Sequence, residues 1–155
     1  MDDEQADPPV GTLQRWVRMR RRLNAAPERV FRAWADPEEL ARWFPEQIEG
    51  GLAVGSRSVL VWSERRVWWD VIEANPSRSF VFRWPWFPDH SLVTTVRVTI
   101  EASGYGSRLA LEDGPFPIDQ PDALDAWAKS IEGWSEALAM LRAHLDYSVD
   151  LRWRL

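Results

Sequence analysis

Few side chains in this sequence have the type and spacing that chemistry needs. His90 and His144 are its only imidazoles. They lie far apart, His90 in an expected turn and His144 on an expected exposed helix face, and neither has acidic neighbours at metal-ligand spacing. There is no cysteine, so disulfides and thiolate metal sites are excluded. No serine occupies a nucleophile elbow, because Gly104-Tyr105-Gly106-Ser107 reads as a hairpin turn. Gly50, Gly51 and Gly55 do not join a strand to a helix, which excludes a phosphate loop. The acid–base candidates that remain are Asp70, Glu73, Arg21 and Tyr105. Asp70 and Glu73 interrupt an apolar run, and three residues apart in a strand they face opposite sides, so at most one points inward. Arg21 would then be its partner, since an unpaired buried charge is costly. The competing reading is a solvated or edge position for both acids. No catalytic residue, metal or cofactor is expected.

The aromatic content is more pronounced. The stretch FRWPWF places Phe82, Trp84, Trp86 and Phe87 around one arginine and one proline. Phe82 and Trp84 share a strand face with Phe80, and Pro85 must end that strand or lie at an edge because it donates no ladder hydrogen bond. Trp86, Phe87 and Pro88 pass into the next turn, where they could rim a cavity. The plainer reading is core filling, because aromatic side chains bury large areas. A membrane anchor lacks flanking basic residues, and a nucleic-acid stacking platform lacks a basic groove.

These groups must be positioned by about one domain's worth of chain. The sequence has 155 residues, a net charge of −5 and eleven tryptophans spread from Trp16 to Trp153. At this length about 70% of the unfolded surface is buried around a single core. The acidic balance argues against nucleic acid, no run reaches the roughly 20 apolar residues of a membrane span, and the acidic N-terminus is the reverse of a secretory signal. A cytoplasmic protein is expected, with residues 1–12 as a disordered lead-in and 13–155 as one domain.

A strand is expected over 13–23, with Val17, Met19, Arg21 and Leu23 on one face and Arg18, Arg20 and Arg22 on the solvated other. Pro27 opens a short helix carrying Val30, Phe31 and Trp34, and Asp36-Pro37-Glu38-Glu39 opens a second carrying Leu40, Trp43 and Phe44. Strands follow near 57–63, 66–74, 79–86, 91–102 and 106–112. From Gln120 the period becomes helical: Leu124, Trp127, Ile131, Trp134, Leu138, Leu141 and Leu145 step by three and four. That predicts a helix of about 25 residues, about 37 Å long. The fold class is α+β: two short helices after the first strand, and a curved six-stranded antiparallel sheet wrapped around a long C-terminal helix.

The stretches APERVFRAWADPEELARWF (26–44), GLAVGSRSVLVW (51–62), VIEANPSRSFVFRW (71–84), GSRLAL (106–111) and GWSEALAMLRAHL (133–145) give the chain a recognisable order. It resembles the START-like helix-grip superfamily, and within it the group similar to the C-terminal domain of the activator of heat-shock protein 90 ATPase. The resemblance implies a cavity between sheet and C-terminal helix that admits apolar ligands. On that basis a small hydrophobic or aromatic ligand is expected, held by Arg21, Phe82, Trp84, Val96, Val98, Trp127, Ile131 and Trp134, in a monomer or homodimer. The heat-shock activators carry a further N-terminal domain, and only about a dozen residues precede the first strand here, so a chaperone partner is the second expectation. A cyclase- or aromatase-type enzyme is the third.

Overall fold

The structure, a computed structural model, describes residues 13–87 and 89–152. The expected disordered lead-in, Pro88 at the rim of the turn, and the last three residues of the tail lie outside them.

Alternation produces the first strand as expected. In β1 (Gln14–Leu23) Val17 and Leu23 are buried, while Arg18, Arg20 and Arg22 face solvent. Helix α1 (Pro27–Ala35) begins on Pro27 and buries Val30, Ala33 and Trp34. The single-turn α2 (Pro37–Leu40) is capped by Asp36, whose carboxylate accepts from the Glu38 and Glu39 amides. Then come β2 (Gln47–Glu49), β3 (Arg57–Trp62), β4 (Arg65–Asn75), β5 (Ser79–Pro85), β6 (Val93–Ser103), β7 (Gly106–Pro117) and α3 (Pro121–Tyr147).

The strands form one antiparallel sheet in the order β1-β7-β6-β5-β4-β3-β2. It has seven strands where the sequence predicts six. The addition is β2, three residues after Pro45 that pair with β3 but carry no apolar alternation of their own. The last strand also runs to Pro117 instead of ending near 112. Asp113-Gly114-Pro115 has the composition of a turn, yet it continues the ladder, with Asp113 opposite Val17 and Val96. Gly114 is required there, because a Cβ would lie 2.5 Å from the Trp16 ring.

One sheet face packs against α1, α2 and α3. Its core joins Leu60, Trp69, Phe80, Phe82, Val96, Val98, Leu109 and Leu111 to Trp34, Leu40, Trp43, Trp134, Leu138 and Leu141. Each fully buried aliphatic or phenylalanine side chain of this kind contributes about 1.5–3 kcal/mol. The buried line of α3 differs from the expected stripe. It runs through Ala123, Ala126, Ser130, Trp134, Ala137, Leu138 and Leu141, while Leu124 and Ile131 are 45% and 37% exposed. Small residues take the inner line of the helix's first half, and the larger apolar side chains beside them are turned outward.

Candidate functional site

The cleft is built by two segments that approach from opposite directions. Strand β5 ends at Pro85, as a residue without an amide hydrogen should dictate, and hands Trp84 and Trp86 to the end of the sheet. Helix α3 brings Ser130, Gly133, Trp134 and Met140 past them. Between these segments and Phe44, Trp62 and Val67 lies a half-open cleft of about 670 Å³, rimmed by the exposed charges of Arg65, Lys129 and Glu136. Lys129 pairs with Asp125 at 2.9 Å.

Ring packing sets the walls. Phe44 stacks on Trp134 with centroids 5.6 Å apart and planes 15° apart. Trp84 lies 5.1 Å from Trp134 and meets Trp86 edge-on at 5.4 Å. Phe82, which shares its strand face with Trp84, is fully buried behind these rings and stacks on Trp69 at 3.6 Å. The aromatic stretch is therefore divided: Phe82 fills the core, and Trp84 and Trp86 line the cleft.

A carboxylate lies beneath the floor. Asp113 is fully buried and accepts hydrogen bonds from Thr94 Oγ1 at 2.5 Å, Ser130 Oγ at 2.8 Å and Trp134 Nε1 at 3.0 Å. Trp86 Nε1 in turn donates to Thr94 Oγ1 at 2.8 Å. Burial pushes the Asp113 carboxyl up to about 6, against the opposing pull of these donors and of the nearby Trp84 indole. The Trp84 nitrogen is buried and makes no hydrogen bond of good geometry. No cation pairs with Asp113 among the described residues. A carboxylate held only by neutral dipoles is a costly arrangement.

The residues singled out by sequence fall into three groups. Trp84 and Trp134 line the cleft together. Phe82, Val96 and Val98 lie behind it in the core. Arg21, Trp127 and Ile131 lie away from it. Arg21 is on the edge strand with its guanidinium on the Arg20 carbonyl. Trp127 donates to the Trp16 carbonyl at 3.3 Å and packs near Val17 and Phe116. Ile131 is exposed.

Two expectations about charge are corrected. Asp70 and Glu73 do not face opposite sides, because a bulge between Val71 and Glu73 inserts Ile72 and turns both acids to the outer face. There Asp70 pairs with Arg57 at 2.6 Å and Glu73 with Arg97 at 2.9 Å, so Arg21 serves neither. His144, expected exposed, keeps only 13% of its side chain exposed and donates to Glu39 at 2.7 Å. Among the described residues no cluster of histidines and acids could hold a metal ion, and no helix is long and apolar enough to cross a membrane.

Nothing in the local sequence marks Asp113 as an inward strand residue, because Asp-Gly-Pro has turn composition. Its one legible signal is Val96 and Val98 continuing the inner face of the paired strand. Ser130 was hidden in the same way, as a polar residue between larger apolar ones.

Known structures share this architecture. The chain superposes on protein MLL2253 from Mesorhizobium loti with a TM-score of 0.76 at 23% identity, covering 87% of this chain and 99% of that one. DynU16, a protein in the dynemicin biosynthetic locus, matches with a TM-score of 0.74 at 20% identity over 86% of this chain, which spans 48% of DynU16. The Aha1 dimer from Colwellia psychrerythraea gives 0.74 at 17% identity, covering 86% of this chain and 97% of that one. At these identities the likeness shows the fold. No curated protein matches in sequence. Residues 24–146, which include α1 to β7 and nearly all of α3, match the family described as activator of Hsp90 ATPase homolog 1-like protein, and the chain belongs to that family.

Proposed function

We propose that the protein is a binding module that takes a small aromatic or apolar ligand into the cleft between β5 and α3. The observation that carries this reading is the cleft's wall. Phe44, Trp62, Trp84, Trp86 and Trp134 line a space of about 670 Å³, within the range of small-molecule sites, which combine mostly apolar walls with few polar groups. Trp84 and Trp134 would touch the ligand, with Phe82, Val96 and Val98 holding them from behind. The charged rim of Arg65, Lys129 and Glu136 would take the place of Arg21 as the outer polar contact. The reading takes the protein as a cytoplasmic monomer or homodimer.

Gly133 offers the test. It lines the cleft, and a Cβ built on it meets nothing within 4 Å. Gly133→Leu should therefore fold normally and fill the space. Titration with 2-naphthol, followed by tryptophan fluorescence, should show saturable binding to the wild type and at least tenfold weaker binding to Gly133→Leu. Equal binding by both proteins would remove the cleft as the site.

The family description favours a second reading, a partner of heat-shock protein 90. ATP turnover by the host's chaperone, measured with saturating protein, decides it. Unchanged turnover excludes that role.

A further inference from the structure

The polar spot in the cleft floor has its polarity fixed from behind. Ser130 is part of the lining, and its Oγ lies 2.8 Å from Asp113 Oδ2. An ionised carboxylate carries no hydrogen, so each of its partners must donate. The Trp134 indole can only donate, and it does so to the same oxygen. Thr94 receives the Trp86 N–H on its Oγ1 and so directs its own hydrogen to Asp113 Oδ1. The single hydrogen of Ser130 is committed in the same way. What the serine has left is lone pairs, and a group bound in the cleft can approach them only as a donor.

The second observation is Trp84. Its ring lines the cleft, and its buried indole nitrogen lies near Asp113 without making a hydrogen bond of good geometry. Indole N–H is a donor only, so a better-placed acceptor can take it. A hydroxyl group carries both functions on one atom, giving its hydrogen to Ser130 and taking one from Trp84. An ether oxygen meets the Trp84 requirement alone, and a bare hydrocarbon meets neither.

We propose that the cleft selects aromatic ligands that carry a hydroxyl group, phenols and naphthols, over the same rings with the oxygen methylated. This rests on the proposed ligand-binding role and adds the chemical class of the ligand. The walls supply stacking surface that any aromatic ring can use, and the Asp113–Ser130 pair makes the distinction.

The test compares 2-naphthol with 2-methoxynaphthalene by isothermal titration calorimetry at pH 7.5, on wild type and Ser130→Ala. Wild type should bind the naphthol about tenfold more tightly, the scale of one buried hydrogen bond left unmade. Ser130→Ala should bring the naphthol's affinity down to that of the ether and leave the ether's unchanged. Should that variant fail to fold, the ligand pair on wild type alone decides. Equal affinity for the two compounds overturns the hydroxyl preference, a preference that persists in folded Ser130→Ala overturns its assignment to the Asp113–Ser130 pair, and both leave the cleft reading standing. Binding of neither compound overturns the cleft reading itself.

Discussion

Helix α3 meets two carboxylates, a fully buried one in its first half and a partly buried one toward its C-terminal end, and they titrate in opposite directions. Toward the C-terminal end, His144 donates to Glu39, which also pairs with Arg29. Burial alone would push the Glu39 carboxyl up, but the His144 and Arg29 hydrogen bonds together outweigh it and hold it below 4.5. Toward the N-terminal end, Ser130 and Trp134 donate to Asp113, and burial pushes that group up to about 6. Donor number does not separate the two sites, since Asp113 accepts three good hydrogen bonds. Depth and cations do: Asp113 is fully buried among neutral donors, while Glu39 keeps 16% of its side chain exposed and pairs with Arg29. The C-terminal site therefore behaves as a structural clamp, and the N-terminal one as a polar group held under tension beside a cleft.

The largest effect should come from removing the ring that joins cleft, core and carboxylate. Trp134→Ala empties a fully buried site and deletes a donor to Asp113, and should lower unfolding free energy by about 3–5 kcal/mol in denaturant melts. A wild-type midpoint would mean that α3 does not bury this face.

Acidity separates the two ends next. Asp113 binds protons more tightly in the folded state than its ordinary 3.8. Its contribution is therefore most favourable at low pH and is lost as pH rises from about 4 to above 6, by about 3 kcal/mol. Asp113→Asn should flatten that fall. Glu39 has the opposite sign: its pairing supports the fold above 4.5 and is lost as pH drops through its lowered folded-state value. Arg29→Met should cost about 1–2 kcal/mol at pH 7, a buried-pair loss discounted because a third of the Arg29 side chain is exposed. The cost should shrink toward pH 3. A pH-independent cost would show that packing and not charge holds that end.

Helix propensity gives the smallest effect. Gly133→Ala should raise stability by up to about 1 kcal/mol, because the added methyl meets open space. Among the described residues no sheet side chain packs against its backbone, which faces the open cleft.

What could be read in advance follows from how each element signals itself. The alternation of β1 and β6, the Asp36 cap and the existence of the long α3 are local patterns that the observed elements carry, whereas β5 is buried without a break from Ser79 to Phe82. Within the cleft, Trp84 and Trp134 were legible because strand and helix periodicity point them the same way. Asp113 was not, because Asp-Gly-Pro continues a ladder only where the flanking strands impose it. Ser130 was not, because serine at a core spacing has no meaning until its partner is known. The outward turn of both Asp70 and Glu73 depends on one bulge residue, Ile72, which no alternation pattern marks.

The central claim is that ligand enters beside Trp84 and Trp134. The sequence's eleven tryptophans supply reporters around the molecule, and indole N–H resonances followed during a 2-naphthol titration test the claim most directly. The account predicts shifts at Trp62, Trp84, Trp86 and Trp134, which line the cleft, with Trp16, Trp68 and Trp127 unmoved. Shifts at Trp16, Trp68 or Trp127 with the cleft tryptophans silent would contradict it.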